Sequence, residues 1–402
     1  MAIDSSIRYF KDLTQIASGD IIGDQHYLYI NRPNETDPND VDSIITVEEF
    51  ATSIGSIVVR PQAERFIYQL QASNWINVDT PATTGAIQVV EAKGDIFCAA
   101  DPDGTTTSLI KSTDRGWFWQ LRTTPTAGIQ GISAGAGQVW LIITGNESPY
   151  VYRSTDDAET WSPVSGVSAG TYFGIDNDGG DNWCICGITD SKLANSTDNG
   201  VSFTTRTAPD ANAQYYKVRH SKIASDDVFV ATGVNPINTN AFARTTDNGA
   251  TWSAVTVPLG TQTNIWIGLD SDGEGNWIAV AASGTLSERA LRSTDNGATW
   301  SILTTIPTEL QSGFREIRYA EGMWMILSVD NTRVIYSLDG GDTWLASTFP
   351  LFNSSSTGNE FDGIAFSNGA WVICTRGLSP DPSDNSNATK ILRSLEFQKG
   401  LF

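Results

Sequence analysis

The stretch RSTDNGATWS at residues 292–301 is written almost unchanged as RTTDNGATWS at residues 244–253. Two such similar decapeptides in one chain indicate an internal repeat. Copies that match the pattern Ser/Thr-x-Asp-x-Gly-x-Thr-Trp less closely occur on either side. The six copies are STDRGWFW at 112–119, STDDAETW at 154–161, STDNGVSF at 196–203, TTDNGATW at 245–252, STDNGATW at 293–300 and SLDGGDTW at 337–344.

The acidic residue of the pattern sets the period of the repeat. The spacing from one copy to the next lies between 42 and 49 residues, and a seventh trace, SLEF at 394–397, ends the chain. A period near 45 is typical of the four-stranded blades of a β-propeller. The six clear positions are Asp114, Asp156, Asp198, Asp247, Asp295 and Asp339.

The residue types of the pattern suit a tight hairpin turn. An Asp carboxylate accepts backbone N–H bonds within its own turn, and a neighbouring hydroxyl can help it. The Gly adopts a positive φ without steric cost, and the Trp then packs its ring against the sheet. We therefore predict that these carboxylates hold the fold together and are neither catalytic nor metal-binding.

A second column of aromatic residues precedes the acidic residue of each turn by 15 to 25 residues and begins an apolar run. The repeating unit is therefore a strand, the aromatic strand, a third strand, the Asp turn and a final Trp strand. The seventh unit lacks its last strand, and NWINV at residues 74–78 matches the Trp strands. We predict an all-β fold: a seven-bladed β-propeller over residues 67–402, closed by the strand of Trp75 and preceded by a small α+β domain over residues 1–66.

The charge balance excludes several classes of partner. The formal net charge is −21 and the pI is about 4.3. Nucleic acids and anionic membranes are bound through clustered Lys and Arg, which this chain lacks. With no run of 18 apolar residues and no secretory signal pattern, we expect a soluble protein made in a cytoplasm, without membrane insertion.

The sequence offers no metal or cofactor motif. The four cysteines lie in the aromatic strands, where other repeats have aliphatic residues, so we expect buried free thiols. We expect Cys184 and Cys186 to point to opposite faces of their strand. The loops at residues 176–182 and 270–276 resemble calcium loops, but no bidentate Glu follows, and a polar hairpin turn is the preferred interpretation.

Two tryptophans fall outside the repeat columns. Trp117 replaces a small or polar residue within an Asp turn, and Trp266 lies in a first strand near the central channel. Exposed aromatic rings are platforms for sugar rings, and local packing is the alternative for each. Trp117 and Trp266 are our predicted ligand-binding residues.

The repeat resembles the Asp-box, or BNR, repeat of sialidases, xyloglucanase-type glycosidases, sortilin-type receptors and a photosystem assembly factor. The resemblance covers more than three quarters of the chain and implies a propeller, but it does not imply an activity. Sialidases of this kind carry a Phe-Arg-Ile-Pro motif that is missing here, so no sialidase activity is expected. A glycosidase with a hidden pair of carboxylates stays open.

Residues 12–55 resemble the attachment module that opens many bacteriophage tail-fibre and tailspike proteins. This resemblance implies a virion protein that is assembled in a host cytoplasm, docks to other tail proteins through residues 1–66 and forms a trimer. The propeller would then bind a host-surface glycan or protein without being an enzyme. The alternatives are a purely structural virion component, such as a head fibre, decoration or tail-nozzle protein, and a glycan hydrolase.

Overall fold

The computed structural model describes most of the chain from residue 75 onwards. The described residues are 27–29, 44–46, 57–58, 67–68 and 75–394 without 82–86, 103–108, 125, 127, 146–147, 190–192, 224–225, 236–240, 259–263, 284–287, 308–312, 329–332, 349–360 and 379–388. By its contacts the chain divides into two units, Met1–Gln71 with Gln398–Phe402, and Ala72–Phe397. The predicted domain boundary between residues 66 and 67 stays a prediction.

Two antiparallel pairs of short strands are described in the first unit. They are β1 (Tyr27–Tyr29) with β2 (Ile44–Thr46), and β3 (Ile57–Val58) with β4 (Ile67–Tyr68). The helical part of the predicted α+β domain lies outside the described residues.

Seven four-stranded antiparallel sheets are described in the second unit, and they confirm the seven-bladed propeller. Each sheet is a blade whose first strand is innermost. The first three blades contain β6 (Val89–Lys93), β7 (Ile96–Ala100), β8 (Leu109–Ser112) and β9 (Gln120–Arg122); β10 (Ile129–Ala134), β11 (Trp140–Thr144), β12 (Val151–Ser154) and β13 (Ser162–Pro163); and β14 (Tyr172–Asn177), β15 (Trp183–Gly187), β16 (Leu193–Ser196) and β17 (Thr204–Arg206).

The next three blades repeat this order. They contain β18 (Gln214–Ile223), β19 (Asp226–Val234), β20 (Phe242–Thr245) and β21 (Ser253–Ala254); β22 (Trp266–Ser271), β23 (Trp277–Ala281), β24 (Ala290–Ser293) and β25 (Ser301–Ile302); and β26 (Phe314–Ala320), β27 (Met323–Ser328), β28 (Arg333–Ser337) and β29 (Leu345–Thr348). The first strands of consecutive blades contact one another around the ring.

The seventh blade joins the two ends of the propeller. It contains β30 (Phe361–Ser367), β31 (Ala370–Leu378), β32 (Thr389–Ser394) and, as its outer strand, β5 (Trp75–Val78). Trp75 pairs with Ser394, and Val78 pairs with Ile391. The predicted closure is therefore confirmed, and it removes an open sheet edge from the last blade.

The core lies between the blades and is built from the aromatic column of the second strands. All seven rings of that column are completely buried: Phe97, Trp140, Trp183, Phe229, Trp277, Trp324 and Trp371. Each of the first six pairs across the sheet with the Ser or Thr that opens its blade's Asp turn, as Trp277 pairs with Ser293. Burying one such ring contributes about 1.5–3 kcal/mol, so this register is strongly favoured over a one-residue slip.

Candidate functional site

Five of the six described Asp turns, which join the third and fourth strands of blades 1 to 6, share one hydrogen-bond pattern. In the blade 5 turn, the Ser293 hydroxyl donates to Asp295 Oδ1 at 2.8 Å and accepts from the Gly297 amide at 3.0 Å. The Thr299 amide donates to Oδ1 at 2.8 Å, and the Thr299 hydroxyl donates to Oδ2 at 2.6 Å. The same set surrounds Asp156, Asp198, Asp247 and Asp339.

These hydrogen bonds favour the ionised carboxylate. Burial by itself would raise the pKa of Asp156, but the hydrogen bonds from Thr160 and Ser154 outweigh it and lower the pKa to about 2. The pKa values of Asp198, Asp247 and Asp295 are lowered for the same reason. The carboxylates are therefore held ionised by groups of their own turns, and their purely structural role stays a prediction.

A column of latches, which was not predicted from the sequence, ties blades 1 to 4 and 7 to the blade that follows. In these blades the residue just before the Ser or Thr of a turn reaches the backbone carbonyl of the positive-φ residue in the following blade's turn, whereas Arg292 of blade 5 donates to Asp342 Oδ1 instead. Arg153 Nε donates to Asn199 O at 2.8 Å, and Arg244 Nε donates to Asn296 O at 2.9 Å. Asn195 Nδ2 makes the equivalent bond at 2.7 Å. The repeated Arg before the motif was the signal that could have revealed this column.

The latch at the seam of the ring is the most buried of the column. Arg393, at 0 % exposure, donates from Nε to Arg115 O and from Nη1 to Ser394 O, both at 2.6 Å. Its guanidinium carbon also lies 4.0 Å from the centroid of the Trp117 ring. The last blade is thereby fixed to the Asp turn of the first.

The blade 1 turn departs from the other five at two neighbouring positions. Trp117 stands where the other turns have Glu, Val, Ala or Asp, and Phe118 stands where they have Thr or Ser. Both rings are exposed, Trp117 by 45 % and Phe118 by 61 %. Leu121, on the following strand β9, is also exposed. Large exposed apolar groups on a rigid edge are typical of a binding surface.

The exchange of a hydroxyl for a phenyl ring changes the chemistry of the carboxylate. Asp114 Oδ1 accepts from the Ser112 hydroxyl at 2.7 Å and from the amides of Trp117 and Phe118 at 3.1 and 2.9 Å. Phe118 has no hydroxyl to offer Oδ2, and within the described ranges no other group donates to that oxygen. The blade 1 turn therefore combines an exposed aromatic face with an open carboxylate oxygen.

The other tryptophan of the prediction lies in the core. Trp266 is in a first strand, as expected, but only 1 % of it is exposed, and its ring packs edge-on against Phe242 at 5.4 Å between centroids. A ring so buried has no face to offer a ligand, so packing is the reading that the geometry favours for Trp266. The predicted binding role of Trp117 stays a prediction.

The first strands carry alternating charges around the channel. One register position holds Asp176, Arg219, Asp270 and Arg318 in blades 3 to 6, and Glu91 in blade 1. Arg318 Nη2 donates to Glu91 Oε2 at 2.7 Å, across blade 7. Asp176 and Asp270 each accept a backbone N–H from the next blade at 2.7 Å.

A second ion pair spans an entire blade. Lys217 of blade 4 donates to Glu316 of blade 6. The corresponding position of the intervening blade 5 is Gly268, where an added Cβ would lie 2.5 Å from Val280 Cγ2 and 3.2 Å from Glu316 Cα. Gly268 therefore lets β22 pack closely against β26, whose Glu316 makes the ion pair.

Burial and neighbouring charges set the pKa values in this layer. Burial lowers the pKa of Lys217 to about 8, although Glu316 opposes it. Burial raises the pKa of Asp270, with Arg318 opposing. Burial would also raise the pKa of Glu91, but Arg318 and Arg219 outweigh it and lower the pKa. The described channel charges are therefore arranged mainly as ion pairs between blades.

The thiols require one correction. Cys184 and Cys186 lie in the same apolar cluster with Val218 and Phe229, so the expectation of opposite faces was wrong. Residues two apart on a strand share a face. Burial raises the pKa of Cys186 to about 12 and that of Cys184 well above its usual value, which keeps both thiols protonated.

The described residues contain no group of three or more metal-ligating side chains. In the two loops that resemble calcium loops, the carboxylates close the turn themselves. Asp178 Oδ1 accepts from the Gly180 amide at 2.8 Å, and Asp272 Oδ1 accepts from the Glu274 amide at 2.7 Å. The polar-turn interpretation fits these contacts. No helix in the described part of the chain is both long and apolar enough to cross a membrane.

Comparisons with solved structures agree on the fold. A YCF48 protein bound to D1 peptide has a TM-score of 0.56 at 15% identity, covering 80% of this chain and 94% of that one. The GH74 enzyme of Niastella koreensis has a TM-score of 0.54 at 13% identity, and the match covers 78% of this chain and 55% of the enzyme chain. The WD40 repeats of RRP9 have a TM-score of 0.57 at 9% identity, and the match covers 81% of this chain and 98% of the RRP9 chain.

These identities show a shared propeller fold and nothing finer. The similar structures include enzymes and proteins of other kinds, and the fold is consistent with a scaffold for binding and recognition. No protein-family model matches the sequence, and the search of curated proteins finds no match.

Proposed function

We propose that this protein is a bacteriophage virion adhesin of the Asp-box class. Its propeller binds a glycan or protein on the host surface, and residues 1–66 dock to other tail proteins. The observation that carries the binding part is the exposed Trp117 and Phe118 pair, which breaks the repeat at the seam of the ring. The sequence pattern of residues 12–55 supports the virion part.

The replacement of the turn hydroxyl by Phe118 in blade 1 is hard to explain by folding alone. Five turns keep a hydroxyl donor for their carboxylate, and the sixth loses that bond and exposes two aromatic rings to water. Local rules of folding are typically broken where a site performs a function. The similar structure with a bound D1 peptide also supports a propeller of this size acting as a receptor.

Several copies on one particle would add avidity. In a trimer, three weak sites that reach the same surface convert later binding steps into intramolecular ones. The formal net charge of −21 supports selectivity, because an acidic protein does not adhere indiscriminately to anionic cell surfaces.

The full-length protein tests this proposal. Light scattering gives its copy number, and a fluorescent label allows titration onto a panel of Gram-negative and Gram-positive bacteria. We expect trimers that bind at least one strain saturably, with competition by unlabelled protein. Absence of saturable binding across the whole panel contradicts the adhesin and favours a purely structural virion role.

A glycan hydrolase is the second possibility, because GH74 enzymes are among the similar structures. This chain covers 55% and 52% of the two GH74 chains. Release of reducing sugar from the polysaccharide of a bound strain would favour hydrolysis. We expect binding without release.

A further inference from the structure

We infer that the Asp turn of blade 1 is a binding site for a neutral saccharide, with Trp117 as the stacking platform and Asp114 Oδ2 as the acceptor of a sugar hydroxyl. This inference rests on the proposed adhesin function and names its site and its ligand class.

The open acceptor is the first step of the inference. In the other five turns Oδ2 accepts a hydroxyl at 2.5–2.6 Å, from Thr160, Ser202, Thr251, Thr299 or Thr343. In blade 1 the same oxygen keeps its position, because Oδ1 is still held by Ser112 and two amides. A sugar hydroxyl can therefore take the place that the protein's own hydroxyl occupies elsewhere.

The aromatic platform is the second step. One face of Trp117 lies over the guanidinium of Arg393, at 4.0 Å, and 45 % of the side chain is open to solvent. Arg393 is itself fixed by hydrogen bonds to Arg115 O and Ser394 O. A ring that is already held in place loses little entropy on binding, so its free face is pre-organised to stack on the C–H face of a sugar ring.

Charge favours a neutral saccharide over an acidic one. The site presents the Asp114 carboxylate within a protein of net charge −21, and the nearby Arg115 faces Asp95 at 3.6 Å. Bringing a uronic or sialic acid next to an unpaired carboxylate is electrostatically unfavourable. Neutral hydroxyls match an acceptor-only oxygen beside an aromatic face.

The substitution Phe118→Thr tests the acceptor directly. It restores the hydroxyl that occupies Oδ2 in the other turns, so the thermal unfolding midpoint should stay equal or rise while saccharide binding is lost. Phe118→Leu is the matched control, because it also removes the phenyl ring but leaves Oδ2 open. Val201→Ala, at the position of Trp117 in the blade 3 turn, controls for loss of an exposed apolar side chain.

The probe is an array of neutral oligosaccharides of glucose, galactose, mannose and N-acetylglucosamine, beside oligomers of uronic and sialic acids, with the full-length protein as analyte. We expect wild-type binding to at least one neutral probe. Loss of one hydroxyl bond to a carboxylate should weaken the Kd of Phe118→Thr at least about tenfold. Trp117→Ala should abolish binding, and the Val201 control should leave it unchanged.

The other outcomes separate the two proposals. Absence of binding to every neutral probe, or equal weakening by Phe118→Thr and Phe118→Leu, overturns the saccharide site. A wild-type protein that binds cells while Phe118→Thr still binds them equally keeps the adhesin and places its site elsewhere. Loss of binding in Trp117→Ala alone indicates an apolar ligand such as a peptide, and it also overturns the inference.

Discussion

Replacement of Trp75 by Ala should open the ring at its seam. Trp75 is 5 % exposed, and its strand β5 is the outer partner of β32 in a ladder of four residue pairs. Truncating a buried Trp to Ala typically costs about 3–5 kcal/mol. Because β5 reaches the seventh blade from the other end of the chain, the loss should fall on β32 before it affects the rest of the ring.

Native-state hydrogen exchange measures this effect by position. If this free-energy cost appears as local opening of β32, the exchange of its amides from Ile391 to Ser394 should accelerate by about a hundredfold to several thousandfold. Trp252→Ala is the matched control, because Trp252 is 8 % exposed and occupies the same motif position in blade 4, whose four strands are consecutive in the chain. Unchanged exchange in β32, or equal acceleration by the control, refutes closure through Trp75 as the source of its protection.

Three further predictions concern the ion pairs, the turns and the thiols. Lys217→Met should lower the free energy of unfolding by about 3–5 kcal/mol in a denaturant titration, because it leaves Glu316 buried without its cation. Adding Glu316→Leu should restore part of this loss. No recovery in the double variant contradicts the ion pair as the source of the stability. The pKa of Asp156 is lower in the folded protein than in the unfolded chain, so its contribution to stability is present above about pH 4 and is lost as the pH falls towards 2. Asp156→Asn should therefore flatten this part of a plot of the thermal unfolding midpoint against pH. An unchanged slope contradicts this contribution of Asp156. The four buried thiols should react with a thiol reagent at pH 8 only after unfolding, and immediate reaction of the native protein would show that they are accessible.

The fold could be predicted because the repeated sequence pattern marks nearly every strand and turn of each blade. The Asp turn fixes where two strands meet, and the aromatic column fixes which strand pairs with them. The closing strand was recognisable because Trp75 carries the same local pattern as the Trp strands. Such a pattern is local, and blade geometry follows from local pairing, so one sequence was sufficient for this level of structure.

The site was less predictable because it depends on contacts between blades. The alternating channel charges come together only when strands some 40 to 50 residues apart share a register position, as Asp270 and Arg318 do. The side-chain direction of Trp266 likewise depends on the neighbouring blade, where Phe242 receives its ring. The latch column is an intermediate case: its Arg residues are visible in the motif, but their acceptors lie on the next blade.

The seam of the ring explains why Phe118 is a sharper probe of the site than Trp117. The Trp117 ring covers Arg393, whose guanidinium joins β32 to the blade 1 turn. Its removal would admit water to a buried latch as well as remove a platform, so weaker binding after Trp117→Ala could arise from either change. The backbone amide of Phe118 already holds Asp114 Oδ1 at 2.9 Å, and a Thr there only adds the bond that the other five turns make. Phe118→Thr therefore fills the acceptor while leaving the latch intact, and loss of binding in this variant beside retained binding in Phe118→Leu supports a ligand contact at the carboxylate oxygen.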